Sequence, residues 1–383
     1  MTVMLSRSAS GRDNNFNLIR FLAAALVLYS HAYPLTGTPG EPLEKLAGFS
    51  LGHFAVDIFF AVSGFLVGGS LLGKQRLGPF LRARALRIFP ALLACSALTA
   101  FVVGALHTRL PALAYFRDVD TWRFALQNAT CWPWPIRYGL PGVFEHLPYP
   151  VAVNGSLWSL PFELDMYAAL ALAGLLAYTG PRLLSDRVLR MLILVVAGIA
   201  IFAYASNETF SFATGFTKRQ GIRLSALFAT GTAFYVLRER IPLSRVWLAV
   251  ALAGLASALV WGHAVAAVYS ISLEYLVLWL ACVPKGFVRR YNTLGDYSYG
   301  FYLWAFPVQQ SVMAWRPGTS RLGLVLWAGL PTLALAVLSW HLLESPMLAL
   351  KDRRPAPPAS GGDSSQGPDA ATDNRDAGPG AMR

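Results

Sequence analysis

Charged residues are scarce in this sequence. Asp, Glu, Lys and Arg make up 14% of its 383 residues, whereas 55% are hydrophobic. A soluble domain carries about 25% charged residues. The shortage extends along the whole chain instead of being confined to one segment. This distribution excludes a soluble protein held by a single membrane anchor and favours a chain embedded in the bilayer through most of its length.

Cysteine is also rare, and the three present are Cys95, Cys131 and Cys282. They include no Cys-x-x-Cys pair, and an odd number leaves one residue without a disulfide partner. Cys95 and Cys282 lie in apolar runs, where cysteine is typical of packing positions. The sequence therefore indicates neither a disulfide framework nor a zinc site, and we expect no metal.

Acidic residues are fewer than basic ones: the sequence has 20 Asp and Glu and 32 Lys and Arg, which gives a net charge of +12. Nucleic-acid binding would call for a basic tract interleaved with stacking aromatic residues in a soluble region, which this sequence lacks. Membrane proteins collect Lys and Arg in their cytoplasmic loops. The positive charge therefore predicts contact with a lipid bilayer and no contact with nucleic acid.

Apolar runs of about 20 residues, the length that crosses roughly 30 Å of hydrocarbon, predict an all-α polytopic membrane protein with about ten transmembrane helices. The expected ranges are 17–34, 54–73, 88–106, 157–178, 189–206, 222–237, 246–263, 266–283, 297–315 and 322–344. The Lys and Arg bias between alternate loops predicts that both termini are cytoplasmic. Residues 1–350 are then the membrane-embedded domain. Residues 351–383, rich in Pro, Gly, Ser and Asp, are expected to form a disordered cytoplasmic tail.

The first apolar run contains two ionisable residues, Arg20 and His31. Eleven residues at about 100° each bring both side chains to within roughly 20° of one face, about 16 Å apart along the helix axis. An apolar helix with two such groups on one stripe turns that stripe towards protein or water. The simpler alternatives are snorkelling flank residues at the lipid interface, or a leader peptide cleaved near Ser30-His31-Ala32.

The second and fourth runs each carry a candidate carboxylate. Asp57 lies near the outer end of its run, as does His31, and a carboxylate beside an imidazole can fix its tautomer and raise its basicity. A contact between helices is the alternative role for Asp57. Glu163 lies deeper in the fourth run than a flanking residue needs to, so it requires a partner, and arginine is the natural one. The adjacent pair Ser63-Gly64 indicates a close approach between two helices.

Arg84 and Arg87, between the second and third runs, are three residues apart and share a helical face. Such a pair can hold a phosphate group at the cytoplasmic surface, although an ordinary positively charged flank is the alternative.

The long segment 107–156 is rich in Pro, Trp and Tyr, and a loop of that length is either functional or disordered. Its aromatic residues suit a lid or sugar-stacking surface as well as an aromatic belt at the membrane interface.

Six motifs follow one another in a recognisable order. They are Arg20 with His31, Asp57 to Leu66, Arg84 with Arg87, Leu157 to Tyr167, Tyr297 to Trp304, and Glu344-Ser345-Pro346. The set extends from about residue 14 to 350 and resembles acyltransferase family 3, integral-membrane enzymes that O-acylate bacterial surface carbohydrates. The resemblance implies a multi-pass protein of the bacterial inner membrane. It also implies a cytoplasmic acyl-CoA donor, with acetyl-CoA expected, and a carbohydrate acceptor such as lipopolysaccharide or exopolysaccharide reached from the other side.

By the same resemblance, His31 matches the essential histidine of the family, and Arg20, Arg84 and Arg87 match its essential arginines. Glu163 matches an acidic residue of the Trp-Ser-Leu motif. This sequence departs from the family at Ala305, where many members have a histidine after Tyr-Leu-Trp, so that position is assigned no role.

These residues lead to a hypothesis for acyl transfer. His31 deprotonates the acceptor hydroxyl or takes the acyl group transiently, and Asp57 or Glu163 orients it. The three arginines of the motifs hold CoA or neutralise a buried carboxylate. A transporter or flippase for a polar substrate also needs intramembrane ionisable groups and is the alternative class.

Overall fold

The computed structural model describes residues 3–8, 11, 13–74, 76–132, 135–178, 182–206, 216–261 and 265–352. This part of the chain is almost entirely helical. The α-helices are α1 (Leu5–Ser8), α2 (Phe16–Leu35), α3 (Pro42–Ala47), α4 (Leu51–Lys74), α5 (Leu77–Leu98), α6 (Ala105–His107), α7 (Ala112–Arg117), α8 (Val119–Thr130), α9 (Leu160–Tyr178), α10 (Arg182–Ala205), α11 (Phe216–Val236), α12 (Arg245–Trp261), α13 (Ala266–Cys282), α14 (Phe287–Arg290), α15 (Ser298–Trp315), α16 (Arg321–Ser339) and α17 (Ser345–Ala349).

Shorter elements connect several of these helices. A π-helical turn, Thr99–Gly104, joins α5 to α6, and another, Trp340–Glu344, joins α16 to α17. Segments of 3₁₀ helix are Gly155–Ser159, Tyr291–Thr293 and Leu350–Asp352. Strand β1 (Val3–Met4) pairs antiparallel with β2 (Pro242–Leu243), with Val3 opposite Leu243.

Six of the described helical segments are long and apolar enough to cross a membrane, and a bent pair makes a possible seventh. The six are Phe16–Leu35, Leu51–Gly73, Leu77–His107, Gly155–Tyr178, Asp186–Ala205 and Arg321–Ala349. The bent pair is Ala266–Cys282 with Phe287–Thr293, whose axes differ by 88°. The chain is therefore a multi-pass, all-helical membrane protein, with fewer qualifying spans than the ten expected.

The difference in span number has a physical reason. Helices occupy all ten expected ranges, but three of them do not qualify as spans. α11 carries Lys218, Arg219 and Arg223, α15 carries Gln309 and Gln310, and the apolar part of α12 is short, Arg245–Ala258. Nearly every residue of α15 is buried by neighbouring protein. A helix that faces protein on all sides does not need an apolar surface.

The described residues from Val3 to Lys351 belong to one compact unit. The tail expected at 351–383 lies outside the described residues apart from Lys351 and Asp352. All three cysteines are free and buried, in line with the absence of Cys-x-x-Cys spacing.

The segment 107–156, which the sequence predicted to be either a functional or a disordered loop, has regular structure in much of its described part. It contains α7 and α8 and has a small core of its own, in which Tyr115 and Phe124 are fully buried. Its second half is held against α15 because the Gln310 side-chain amide donates to the carbonyls of Tyr149 and Ala152, each at 2.8 Å. The segment therefore covers the end of the bundle where α2 finishes.

Helices α4 and α11 pack with almost no space between their backbones. A Cβ atom at Gly64 would overlap the carbonyl oxygen of Phe228, and one at Gly231 would overlap the carbonyl oxygen of Ala61. Thr232 on α11 also donates a hydrogen bond to the Gly64 carbonyl at 3.0 Å. The close approach expected at Ser63-Gly64 is confirmed, and it follows the small-residue pattern of helix contacts in membranes.

This contact predicts opposite effects for two glycines of the same helix. Gly64→Ala should lower the stability of the protein by about 1–3 kcal/mol, because the added methyl group overpacks the α4–α11 contact. Gly73→Ala should leave stability unchanged or raise it by about 0.5–1 kcal/mol, because a Cβ there meets no atom within 4 Å and alanine suits a helix better. Thermal unfolding of the full-length protein in detergent measures both, and equal shifts for the two variants would contradict the packing described.

Candidate active site

The Arg20 and His31 side chains both lie against protein. Arg20 is 16% exposed and forms an ion pair with Asp296, which immediately precedes α15. The His31 ring packs edge-on against Phe306 of α15, with 5.1 Å between ring centroids. The stripe that joins these two residues on α2 is therefore turned into the bundle, and a cavity lies at each of its ends.

The first of these, the His31 cavity, has a volume of about 260 Å³ and is lined by His31, His53, Glu41, Trp158 and Tyr302 among others. Small-molecule sites usually measure about 300–1,000 Å³, so the His31 cavity is close to the lower end of that range. The His31 Nδ1 atom is buried and has no hydrogen-bond partner within the described residues. An imidazole without a fixed partner can accept a proton or an acyl group from a ligand.

Glu41 reaches this cavity from the segment between α2 and α4. It is 1% exposed, and one of its carboxylate oxygens accepts a hydrogen bond from the backbone amide of Leu51. Burial raises the pKa of Glu41, whereas the hydroxyl of Ser30 on α2 opposes that rise. Glu41 thus lies beside the turn of α2 that carries His31.

The second cavity, the Arg20 cavity, is narrow, at about 30 Å³, and is lined by Arg20, Ser63, Glu163 and Tyr302 among others. The Glu163 carboxylate accepts hydrogen bonds from Ser63 at 3.1 Å and from Tyr167 at 2.5 Å. Glu163 is therefore held by two hydroxyl groups and has no ion pair with an arginine in this part of the structure.

Val56 and Tyr302 line both cavities and form the boundary between them. The Tyr302 hydroxyl donates to the carbonyl of Ser156 at 2.6 Å and is 2.8 Å from the hydroxyl of Ser159. Its ring packs edge-on against Phe59 of α4. The two cavities therefore adjoin each other along α2 but are separated by a firmly held tyrosine.

Four charged side chains form a network at the Arg20 end. Asp296 accepts from both Arg20 and Arg87, the latter at 2.6 Å, and Arg87 also donates to Glu344 at 3.2 Å. The side chains of Asp296 and Glu344 are 9% and 1% exposed. The Arg87 guanidinium also lies 5.4 Å from the centroid of the Tyr299 ring. Two arginines and two carboxylates thus neutralise one another where α2, α5, α15 and the turn after α16 meet.

The arginines determine the ionisation of Asp296. Burial alone would raise the pKa of this carboxyl, but Arg20 and Arg87 outweigh it and, with hydrogen bonds from Ser298, hold the pKa below its ordinary value. Asp296 is therefore ionised at neutral pH, as a partner to two arginines must be.

Arg84 is separate from the network that contains Arg87. Its guanidinium lies 5.8 Å from the centroid of the Tyr167 ring, and its Nε atom is buried without a hydrogen-bond partner in the described chain. The expected arginine pair is therefore divided, because Arg87 is neutralised by carboxylates and Arg84 only stacks on an aromatic ring.

Asp57 does not orient His31 in this structure, contrary to our expectation. One of its oxygens accepts from Arg223 at 3.2 Å and from Tyr269 at 2.6 Å, and the other is unpartnered in the described chain. Asp57 and Arg223 side chains are 1% and 10% exposed. The carboxylate neutralises a buried arginine of α11, so it joins α4 to α11 and α13.

Several of these residues were not singled out from the sequence. Asp296, Arg223, Glu41 and His53 had no assigned role, although Arg223 falls inside an expected span and could have been recognised as an intramembrane charge. Glu274 on α13 is also fully buried, with both oxygens unpartnered in the described residues. The described residues contain no group of three or more His, Cys, Asp or Glu that could hold a metal ion.

Six or seven helical segments long and apolar enough to cross a membrane define a multi-pass membrane protein, and two adjoining cavities lie between its helices. The chain belongs to acyltransferase family 3, whose acyltransferase domain matches residues 13–341. It is therefore a membrane acyltransferase, and its reaction uses an acyl donor.

The relatives it resembles extend over most of its length. An O-acetyl transferase of Shigella phage Sf6 is 29% identical over 362 residues, which cover 88% of this chain and 96% of that protein. Nodulation protein 10 of Rhizobium leguminosarum bv. viciae is 30% identical over 383 residues, covering 90% and 95%. Protein 2 in the picA locus of Rhizobium radiobacter is 27% identical over 214 residues, covering 53% and 100%. No solved structure matches this chain significantly.

The charge network predicts a pH-dependent effect of Asp296→Asn. At pH 7 the substitution should cost about 3–5 kcal/mol, because it leaves two buried arginines undercompensated. Since the folded pKa of Asp296 lies below the ordinary value of about 3.9, its stabilisation is present above that pH and is lost as the pH falls through the folded pKa. The difference in unfolding temperature between wild type and variant should therefore shrink in acid.

The matched control is Asp120→Asn, which removes an exposed carboxylate from ion pairs with Arg123 and Arg137. Exposed pairs contribute about 0–1 kcal/mol, so this variant should unfold near the wild-type temperature at every pH. A loss for Asp296→Asn no larger than that of the control would exclude a stabilising role for the network.

Proposed function

We propose that this protein is an O-acetyltransferase of the bacterial inner membrane, which moves an acetyl group from acetyl-CoA to a hydroxyl of a cell-surface or lipid-linked carbohydrate. The observation that carries the proposal is the position of His31, which lines a cavity of about 260 Å³ and whose Nδ1 atom has no hydrogen-bond partner in the described chain. Family membership and the similarity to an O-acetyl transferase support the reaction type. A transporter or flippase is less well supported, because neither finding points to one.

We further propose that all ten helical ranges cross the bilayer and that the Arg20 end is cytoplasmic. The N-terminal strand pairs with residues Pro242–Leu243, and the amide of Asn15 donates to the carbonyl of Ala281. These contacts gather segments that a ten-span topology puts on one side of the membrane. The excess of Lys and Arg in those segments favours the cytoplasm for that side.

The donor then approaches from the Arg20 end and the acceptor from the His31 end. The pantetheine arm of CoA is long and narrow, so it suits entry along α2 from the Arg20 cavity towards Tyr302. Among the three candidate arginines, Arg84 is the most available for a phosphate, because Arg20 and Arg87 already have carboxylate partners. In this proposal Arg20 and Arg87 do not bind the donor directly. Their ion pairs hold in place the helices that form the donor's entry path.

Acyl transfer at His31 can follow either of two routes. In one, an imidazole nitrogen takes the proton of the acceptor hydroxyl, the oxygen attacks the thioester carbonyl, and the departing CoA thiolate receives that proton. In the other, an imidazole nitrogen attacks the thioester carbonyl, and CoA leaves as a thiol with the ring N–H proton. The acceptor hydroxyl then takes the acyl group from the histidine and gives its proton back to the imidazole. Glu163 borders the donor path, whereas Asp57 acts through its ion pair with Arg223 on the packing of α4 against α11.

The first prediction for this function concerns His31. His31→Ala should lower transfer of radiolabelled acetyl from acetyl-CoA to the surface glycan fraction by about 10²–10⁴-fold, the usual contribution of a positioned base. The amount of protein in the membrane fraction should not change. His341→Ala, which alters an exposed histidine, is the control and should keep wild-type activity. Undiminished transfer by His31→Ala would end the proposal.

The second prediction concerns Arg84. Arg84→Ala should raise the KM for acetyl-CoA about 10- to 100-fold, the loss expected for one hydrogen bond to a charged phosphate, while the KM for the acceptor stays constant. Arg82→Ala removes an exposed arginine two residues earlier on α5 and should change neither constant. Equal increases in the two variants would mean that Arg84 contributes only general positive charge.

A further inference from the structure

The segment between α2 and α4 brings a buried carboxylate to the His31 cavity. Residues 36–50 connect two of the apolar helices that can cross the membrane, and connecting segments usually keep their charges in water. Glu41 is nevertheless only 1% exposed. Charged side chains are almost never buried so completely unless they are paired. We therefore expect the buried Glu41 carboxylate to have hydrogen-bonding or charged partners.

The two oxygens of Glu41 have different surroundings. Oε1 accepts a hydrogen bond from the amide of Leu51, the first residue of α4, and so fastens the 36–50 segment to that helix. Oε2 is buried and has no hydrogen-bond partner of normal geometry in the described chain, although the Ser30 hydroxyl lies close enough to affect the carboxylate. A buried acceptor without a donor is unfavourable in the free protein, and a ligand that donates a hydrogen bond would relieve that cost.

The other groups that line the cavity narrow the choice of ligand. His31, Glu41 and Trp158 all line the cavity, so an imidazole, a carboxylate and an aromatic ring border the ligand space. Ionised carboxylates accept hydrogen bonds and donate none. A hydroxyl-bearing ligand satisfies this arrangement, whereas an anionic ligand would be repelled by Glu41 and by Glu44 at the rim.

We propose that Glu41 is the positioning residue for the acyl acceptor, whose one hydroxyl donates to Oε2 while a neighbouring hydroxyl is directed to His31. The inference rests on the proposed function of His31. It requires that the acceptor places at least two hydroxyl groups inside the cavity, since one hydroxyl cannot serve both residues.

Glu41→Gln tests this assignment, because it keeps an oxygen for the Leu51 amide and replaces the free acceptor by an NH₂ donor. The full-length protein in detergent is assayed with radiolabelled acetyl-CoA and the surface glycan fraction of a strain lacking the gene. The KM for the glycan fraction should rise about tenfold or more. The KM for acetyl-CoA, the kcat and the unfolding temperature should stay close to wild type.

Glu239→Gln is the matched control, since Glu239 is an exposed glutamate that lines neither cavity, and its glycan KM should stay within about twofold of wild type. An unchanged glycan KM in Glu41→Gln would overturn the assignment. So would a parallel rise in both KM values together with a loss of stability, which would indicate a structural role alone. Lack of label with the wild-type protein would instead overturn the proposed function, so the two failures are distinguishable.

Discussion

The position of the catalytic candidate depends on a charge network about 16 Å away along α2. Arg20 forms an ion pair with Asp296, Asp296 also pairs with Arg87, and Arg87 pairs in turn with Glu344. Removing one member would leave an uncompensated charge in a medium of low dielectric, which is far more costly than losing a surface pair. The network therefore fixes the rotation of α2 about its own axis. Because His31 lies on the same stripe of that helix, fixing Arg20 also keeps His31 turned into its cavity.

A similar principle holds the other side of the bundle together. Asp57 and Arg223 neutralise each other between α4 and α11, next to the crossing where glycines allow the two backbones to touch. Ion pairs of this kind set which helix faces which, and the small residues set how closely they approach. Asp57 and Arg223 thus build the scaffold, whereas Arg84 forms no ion pair and His31 Nδ1 has no hydrogen-bond partner within the described residues.

The two cavities lie along α2 and share a boundary. Val56 and Tyr302 line both of them, and they separate a narrow cavity near the charge network from a wider one around His31. In the proposed function, the thioester donor uses the narrow cavity and the acceptor hydroxyl uses the wider one. The two substrates then reach His31 from opposite ends of α2.

The sequence by itself determined the membrane class, the helical ranges, the shared face of Arg20 and His31, and the family, because these follow from local composition, helical periodicity and the order of short motifs. The tertiary structure alone decided the partners: Asp296 for Arg20, Arg223 for Asp57, and Glu41 beside His31. Such pairs join residues that are distant in sequence, and any buried carboxylate could satisfy any buried arginine until packing selects one. Helical periodicity predicts the direction in which a side chain points from its own helix, but only the packed bundle determines which residues that side chain contacts.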